Sequence, residues 1–151
     1  PDFIDRTLAF NGQDSQSGWA APQNHVQALG RRFTHTLHTG AHRESARAVA
    51  DGRAAIAAID AISWRLYRDH FPAEAARLRV IGHTAPTPGL PLITSRARPP
   101  APLASAAAEG IAAISAADRA TLGLRGLVDI PAEAYLSVPT PPAPSQDAPA
   151  A

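Results

Sequence analysis

Three short stretches of this 151-residue chain carry side chains whose types and spacing could do chemistry. The first is Asp14-Ser15-Gln16-Ser17-Gly18, where the apolar run Arg6–Phe10 gives way to a helix-like run. Small hydroxyls at a helix start can cap it. With the free N–H groups beside them they can also hold an anion. Asp14 would repel that anion unless its charge points away. The second stretch is Thr39-Gly40-Ala41-His42. A histidine in a first helical turn meets the positive end of the dipole, which disfavours imidazolium. A neutral imidazole can still donate one hydrogen bond to an anion, or His42 is a packing residue. The third is Asp60, just before Ala61. It can cap a helix, or it can accept a hydrogen bond from a protonated or amine-bearing ligand.

Two other chemistries need weighing. His35, His38 and His42 hint at a metal site. The odd separation of His35 and His38 sends them to opposite faces of a strand, which argues against it. Serine, histidine and aspartate together admit a hydrolase, yet no G-x-S-x-G elbow is present. Trp19 and Trp64 read as packing residues, and Arg43 and Glu44 as a solvated helix face.

The elements that must position these residues alternate. Arg6–Phe10 reads as a strand, Asn11–Gly18 as a turn, and the run to Leu29 as a helix stopped by Gly30. Pro22 suits a first helical position, so the regular helix starts there or follows a looser turn over Ser17–Ala21. Phe33–His38 is a second strand. Thr39–Gly52 is a helix capped by Thr39, with Ala46, Val49 and Ala50 as its buried stripe. Ala54–Asp60 is a continuous apolar run suited to a strand covered on both faces. Ala61–His70 is a helix ended at Phe71-Pro72, with another turn or two in Ala73–Leu78. Arg79–Thr84 and Leu90–Ser95 read as two further strands. This order predicts an α/β fold with a largely parallel sheet and flanking helices over residues 1–95. Residues 96–138 begin with a Pro-rich linker. An amphipathic helix with Leu103, Ala107, Ile111 and Ile114 on one face comes next, then a helical turn at Ala132–Leu136. Residues 139–151, rich in Pro and Ala, read as a disordered tail. In open α/β sheets ligands sit beyond the carboxyl ends of the strands, where all three stretches fall.

Composition narrows the classes. All 14 basic residues are Arg, the net charge is +1 and no Arg stripe forms, which argues against a nucleic-acid partner. With no Cys, there is no disulfide framework or thiolate chemistry. No apolar run approaches membrane-spanning length, and no signal peptide is present. The chain opens on Pro1 and lacks Met, which reads as a processed or truncated product.

The three stretches, in this order, resemble the phosphate/phosphite/phosphonate-type substrate-binding proteins of ABC transporters, which have the type 2 periplasmic-binding fold. The family pattern N-D-P-x-S-x-S-G reads here as Asn11-Gly12-Gln13-Asp14-Ser15-Gln16-Ser17-Gly18, with Gln16 where the family often has Thr. The pattern S-G-x-H, then A-V-x-x-G-x-x-D-x-A-A-I-D, corresponds to Thr39-Gly40-Ala41-His42, Ala48-Val49, Gly52 and Ala58-Ile59-Asp60. Its first Asp is replaced by Ala55. The resemblance covers about Arg6–Ser95 well and the rest loosely.

The resemblance implies a non-catalytic, cofactor-free solute-binding protein, periplasmic or extracytoplasmic, serving an ABC permease. The ligand would be a small oxyanion closed between two lobes. Ser15, Gln16, Ser17, Thr39, His42 and Asp60 would hold it. It also implies that the N-terminal lobe is missing, that the segment after Ser95 would pack on it, and that the isolated chain pairs with that lobe or self-associates. A sensor or binding-fold relative with another small ligand is the alternative, and a hydrolase or metalloenzyme a more distant one.

Overall fold

The computed structural model describes residues 3–143. It divides into two compact units, one holding residues up to Pro86 with those from Pro139, the other Thr87–Val138.

The first unit is built on three short parallel strands, β1 (Leu8–Phe10), β2 (Thr36–His38) and β3 (Ile56–Ala57), in the order β2-β1-β3. Leu8 lies opposite both Thr36 and Ile56, and Ala9 opposite Leu37 and Ala57. The strands are shorter than the apolar runs that contain them. Side chains alternate along β1, so Leu8 and Phe10 face one way and Ala9 the other. Leu8 and Phe10 pack with Ile4, Trp19, Val26 and Phe33. Ala9 packs with Ala48 and Ala54. All three β1 residues are buried, as expected of a parallel strand covered on both faces. The large buried side chains are worth roughly 1.5–3 kcal/mol each.

Helices supply the two covers. On the Leu8–Phe10 face lie a π-helical turn, Gln16–Ala20, and α1 (Ala21–Gln27). Pro22 explains the wide turn. Its ring would collide with the carbonyl four residues back, and it has no N–H to continue the ladder. Insertion of a π turn relieves both. Gly30, at φ 69°, ends the helical stretch. Buried Gln23 donates from Nε2 to the Phe33 carbonyl (3.0 Å) and accepts from the Phe33 N–H (3.1 Å), so its amide stands in for a missing strand.

On the other face lies α2 (His42–Ala50), closed by Gly52 at φ 76°. Its buried residues are Ser45, Ala46 and Ala48. Val49 and Ala50, expected in the stripe, are only half-buried. Thr39 does not cap α2. The cap position is Ala41, and the Thr39 hydroxyl is engaged by the Phe10 and Ala41 carbonyls and the Ser45 hydroxyl at 3.0, 3.2 and 2.7 Å. The chain leaves β2 with Thr39 still alongside β1, as the Thr39 N–H bond to the Phe10 carbonyl shows, so its hydroxyl staples strand to helix. α3 (Ala61–His70) and α4 (Pro72–Ala75) complete the unit, with Tyr67, Ala46 and Ala75 in a third apolar cluster.

Arg79–Thr84 and Leu90–Ser95 are not strands. Val80 and Ile81 are about half exposed, and Leu90 and Ile93 are 90% and 89% exposed. A strand needs a ladder partner, and no described strand lies beside either segment. Pro91 also removes a ladder donor within Leu90–Ser95.

The second unit holds α5 (Pro100–Ala113), α6 (Ala116–Leu122) and α7 (Ala132–Leu136). α5 has no buried residue, and of its expected apolar face Leu103 is 46% exposed. α6 has no counterpart among the elements expected from the sequence. Its signals are the Ser115 cap, which accepts from the Asp118 N–H, and Gly123 at φ 72°. The Pro/Ala-rich tail lies, from residue 144 on, outside the described residues.

Candidate functional site

Because β1, β2 and β3 are parallel, their carboxyl ends share one edge of the sheet. The loops leaving that edge lead to the π turn, to α2 and to α3. His42 is the first residue of α2, and Asp60 is the cap residue of α3. The Ser17 hydroxyl lies 2.9 Å from His42 Nε2. Asp60 Oδ2 lies 3.4 Å from the same nitrogen. Ser17, His42 and Asp60 therefore meet, although they come from three separate β-α units.

Gly18 makes the approach possible. A Cβ there would fall 1.9 Å from Asn11 Oδ1 and 3.2 Å from His42 Cε1. Asn11 Oδ1 and His42 Nδ1 are buried without a hydrogen-bond partner.

The remaining predicted residues have other employment. Ser15 caps the π turn, accepting from the Gly18 N–H at 3.0 Å. Of the two serines, Ser15 is thus the cap, while Ser17 faces His42. Gln16 is half-buried on the first residue of that turn. Thr39 stays at the edge, but its hydroxyl is turned to Phe10, Ala41 and Ser45. Asp60 caps α3, one of the two roles foreseen for it, and turns its other oxygen to His42. Its Oδ1 accepts from the Ile62 and Ser63 N–H groups at 3.0 and 2.8 Å, and its Oδ2 faces His42.

Electrostatics sets the charge states. Burial pushes the His42 imidazole below its usual value, and the Asp60 charge and the Ala58 backbone only partly offset it. His42 is therefore neutral at pH 7. Burial works to raise the Asp60 carboxyl, but hydrogen bonds from Ser63, the charge His42 gains as the pH falls and the Ile62 N–H outweigh it, so Asp60 is held low and ionised. The contact between the two is thus a neutral imidazole beside a carboxylate.

This geometry is unlike a hydrolytic relay, in which aspartate and serine address opposite ring nitrogens. Here both face Nε2. Among the described residues no group of three or more potential ligands is placed to hold a metal ion. His38 Nε2 is 3.2 Å from the Asn11 carbonyl, and its ring lies against Phe10. A groove of about 390 Å³ lies elsewhere, lined by Trp64, Arg68, Pro72, Leu78, Arg79 and neighbours. None of Ser17, His42 and Asp60 lines it.

Behind the site lies a network that no sequence motif announces. Arg47 donates to both Glu74 oxygens at 2.9 and 3.1 Å, and Tyr67 donates to Glu74 at 2.7 Å. Arg43 and Glu44, read as a solvated face, are partly engaged. The Arg43 guanidinium lies 4.1 Å over the Phe71 ring, and Glu44 pairs with Arg47. The i, i+3 spacing of Glu44 and Arg47 was the only local signal.

In open α/β folds small ligands sit beyond the carboxyl edge of the parallel sheet, and Ser17, His42 and Asp60 meet at that edge. Residues 1–129 match the model of the family described as "ABC transporter, phosphonate, periplasmic substrate-binding protein", and the chain belongs to that family. Membership implies a small-molecule ligand, an ABC permease partner and solute binding in place of catalysis. No curated protein matches the chain. No helix among the described residues is long and apolar enough to cross a membrane.

Proposed function

We propose that this chain supplies one lobe of the solute-binding component of an ABC importer, and that its ligand is a small phosphorus oxyanion: phosphate, phosphite or a phosphonate. Ser17, His42 and Asp60 form its share of the site, with Ser15, Gln16 and Thr39 shaping the turn and strand end that present them. The observation that carries this reading is the meeting of Ser17, His42 and Asp60 at the carboxyl edge of the sheet, at 2.9 and 3.4 Å. The ionised Asp60 favours the His42 proton on Nε2. Ser17 Oγ then accepts from the ring, and its own hydroxyl proton is left for a ligand oxygen. Asp60, an acceptor beside an anion site, suits a ligand that is singly protonated or carries an amine.

Calorimetric titration of the full protein with phosphate, phosphite and methylphosphonate, with acetate as control, tests the reading. Saturable binding of at least one phosphorus oxyanion, with a raised melting temperature, is expected. A ligand at about a hundred times its Kd stabilises by about 2.7 kcal/mol. Binding of none of the three would refute it.

A further inference from the structure

We propose that Glu74 and Tyr67, neither of which touches the candidate site, are positioning residues that hold α2 and α3 so that His42 and Asp60 remain in contact. The proposal rests on the reading that these two residues serve one ligand site.

Each of the pair is fixed to its own helix. His42 opens α2, and Asp60 is locked to the start of α3 through Oδ1. The 3.4 Å between His42 Nε2 and Asp60 Oδ2 is therefore set by how the two helices lie. What joins those helices is the Glu74 carboxylate on α4. It receives two donors from Arg47 of α2 and one from Tyr67 of α3. Tyr67 is only 5% exposed, packed with Ala46 of α2 and Ala75 of α4. Without Glu74 the half-buried Tyr67 hydroxyl would lose its acceptor and Arg47 its carboxylate, so the polar tie from α2 and α3 to α4 would be gone. Arg43, next to His42, lies over Phe71 at the junction of α3 and α4, a second tie between the same elements. Around His42, Asp60 of α3 carries the charge, while Ser17 and the Ala58 backbone are neutral.

The test needs no ligand. The imidazole resonances of the full chain are titrated by NMR, and the His42 signal is assigned with His42→Gln. Asp60→Asn is measured in three backgrounds: otherwise unchanged, Glu74→Gln and Tyr67→Phe. With the lock intact, removing the Asp60 charge lowers the His42 pKa by about 0.2–0.7 unit, the span for a partly exposed pair. With either lock residue changed, the same substitution lowers it by less than half as much. The other five histidines, out of six, serve as internal controls. An Asp60→Asn shift that is equal in all backgrounds, or absent in the first, overturns the proposal. Should Glu74→Gln fail to fold, Tyr67→Phe decides alone. Failure to bind phosphorus oxyanions would sink the functional reading and leave this result standing.

Discussion

Replacing Ser17 by Ala should weaken ligand binding while barely touching the fold, whereas replacing Ser15 should cost stability. The structure separates the two hydroxyls. Ser15 Oγ is committed to the Gly18 N–H, and losing a cap of that kind costs about 1 kcal/mol. Ser17 Oγ caps nothing and faces His42 at 2.9 Å in a half-buried site. After Ser17→Ala, His42 Nε2 still has Asp60 nearby, so the stability cost falls at the low end for a neutral hydrogen bond, about 0.5 kcal/mol. A hydrogen bond to a charged ligand is worth about 1.5–3 kcal/mol. At 1.4 kcal/mol per factor of ten, Ser17→Ala should raise Kd roughly ten- to a hundredfold. His42→Gln added to it should raise Kd further. Calorimetric titration with phosphate, phosphite and methylphosphonate, beside a urea melt of each variant, reads both quantities. If Ser17→Ala lowers the melting midpoint and leaves the affinity unchanged, Asp14–Gly18 is a structural turn only, and the site is wrongly built.

Gly18→Ala should be costly, because the new Cβ would fall 1.9 Å from Asn11 Oδ1 and 3.2 Å from the His42 ring. Overpacking of this kind costs about 1–3 kcal/mol, readable as a lower urea midpoint, and it should disturb ligand affinity as well. Asp60→Ala deletes both cap bonds of α3 and should lower stability by about 0.5–2 kcal/mol, while Asp60→Asn, which keeps the cap oxygen, should cost far less. Glu74 is held at about 2, below its ordinary 4.5, by Arg47 and Tyr67. A carboxyl depressed on folding contributes stability that is present above 4.5 and lost as pH falls through about 2. The melting difference between the unchanged chain and Glu74→Gln should therefore be full at pH 7 and vanish near pH 2. Tyr67, raised from 10.0 to about 12 by burial and its bond to Glu74, should titrate late in an ultraviolet pH scan, with its share of stability present below 10.0 and lost as pH rises through about 12.

The order of strands and helices in the first unit was legible because each signal was local. Gly30 and Gly52 stop helices, and Arg6–Phe10 and Ala54–Asp60 are apolar runs of strand length. Pairing is not local, so Arg79–Thr84 and Leu90–Ser95 read as strands by composition yet find no neighbour. Residue types and their fall at strand ends singled out Ser15, Gln16, Ser17, Thr39, His42 and Asp60, of which Ser17, His42 and Asp60 come together in the structure. Which serine caps and which faces the imidazole depends on where Pro22 forces the π turn, and spacing does not encode that. The Thr39 hydroxyl looks like a cap in sequence, but its nearest partners belong to β1 and to the second turn of α2. Glu74 was invisible for the same reason. Its donors, Arg47 and Tyr67, lie on two other helices.

β1 is the middle strand, flanked on both sides by partners that come later in the chain. Leu8, Ala9 and Phe10 precede both partner strands in the chain, so until those arrive both ladder edges are bare and both faces apolar. β2 can dock only after the whole of α1 has emerged, and β3 only after α2. Parallel pairing of this kind closes long loops before it is rewarded, so it is slow and exposed to wrong partners. Of the three strands, β1 is therefore the one whose apolar faces and open edges stay exposed to wrong partners until two separate crossovers have closed.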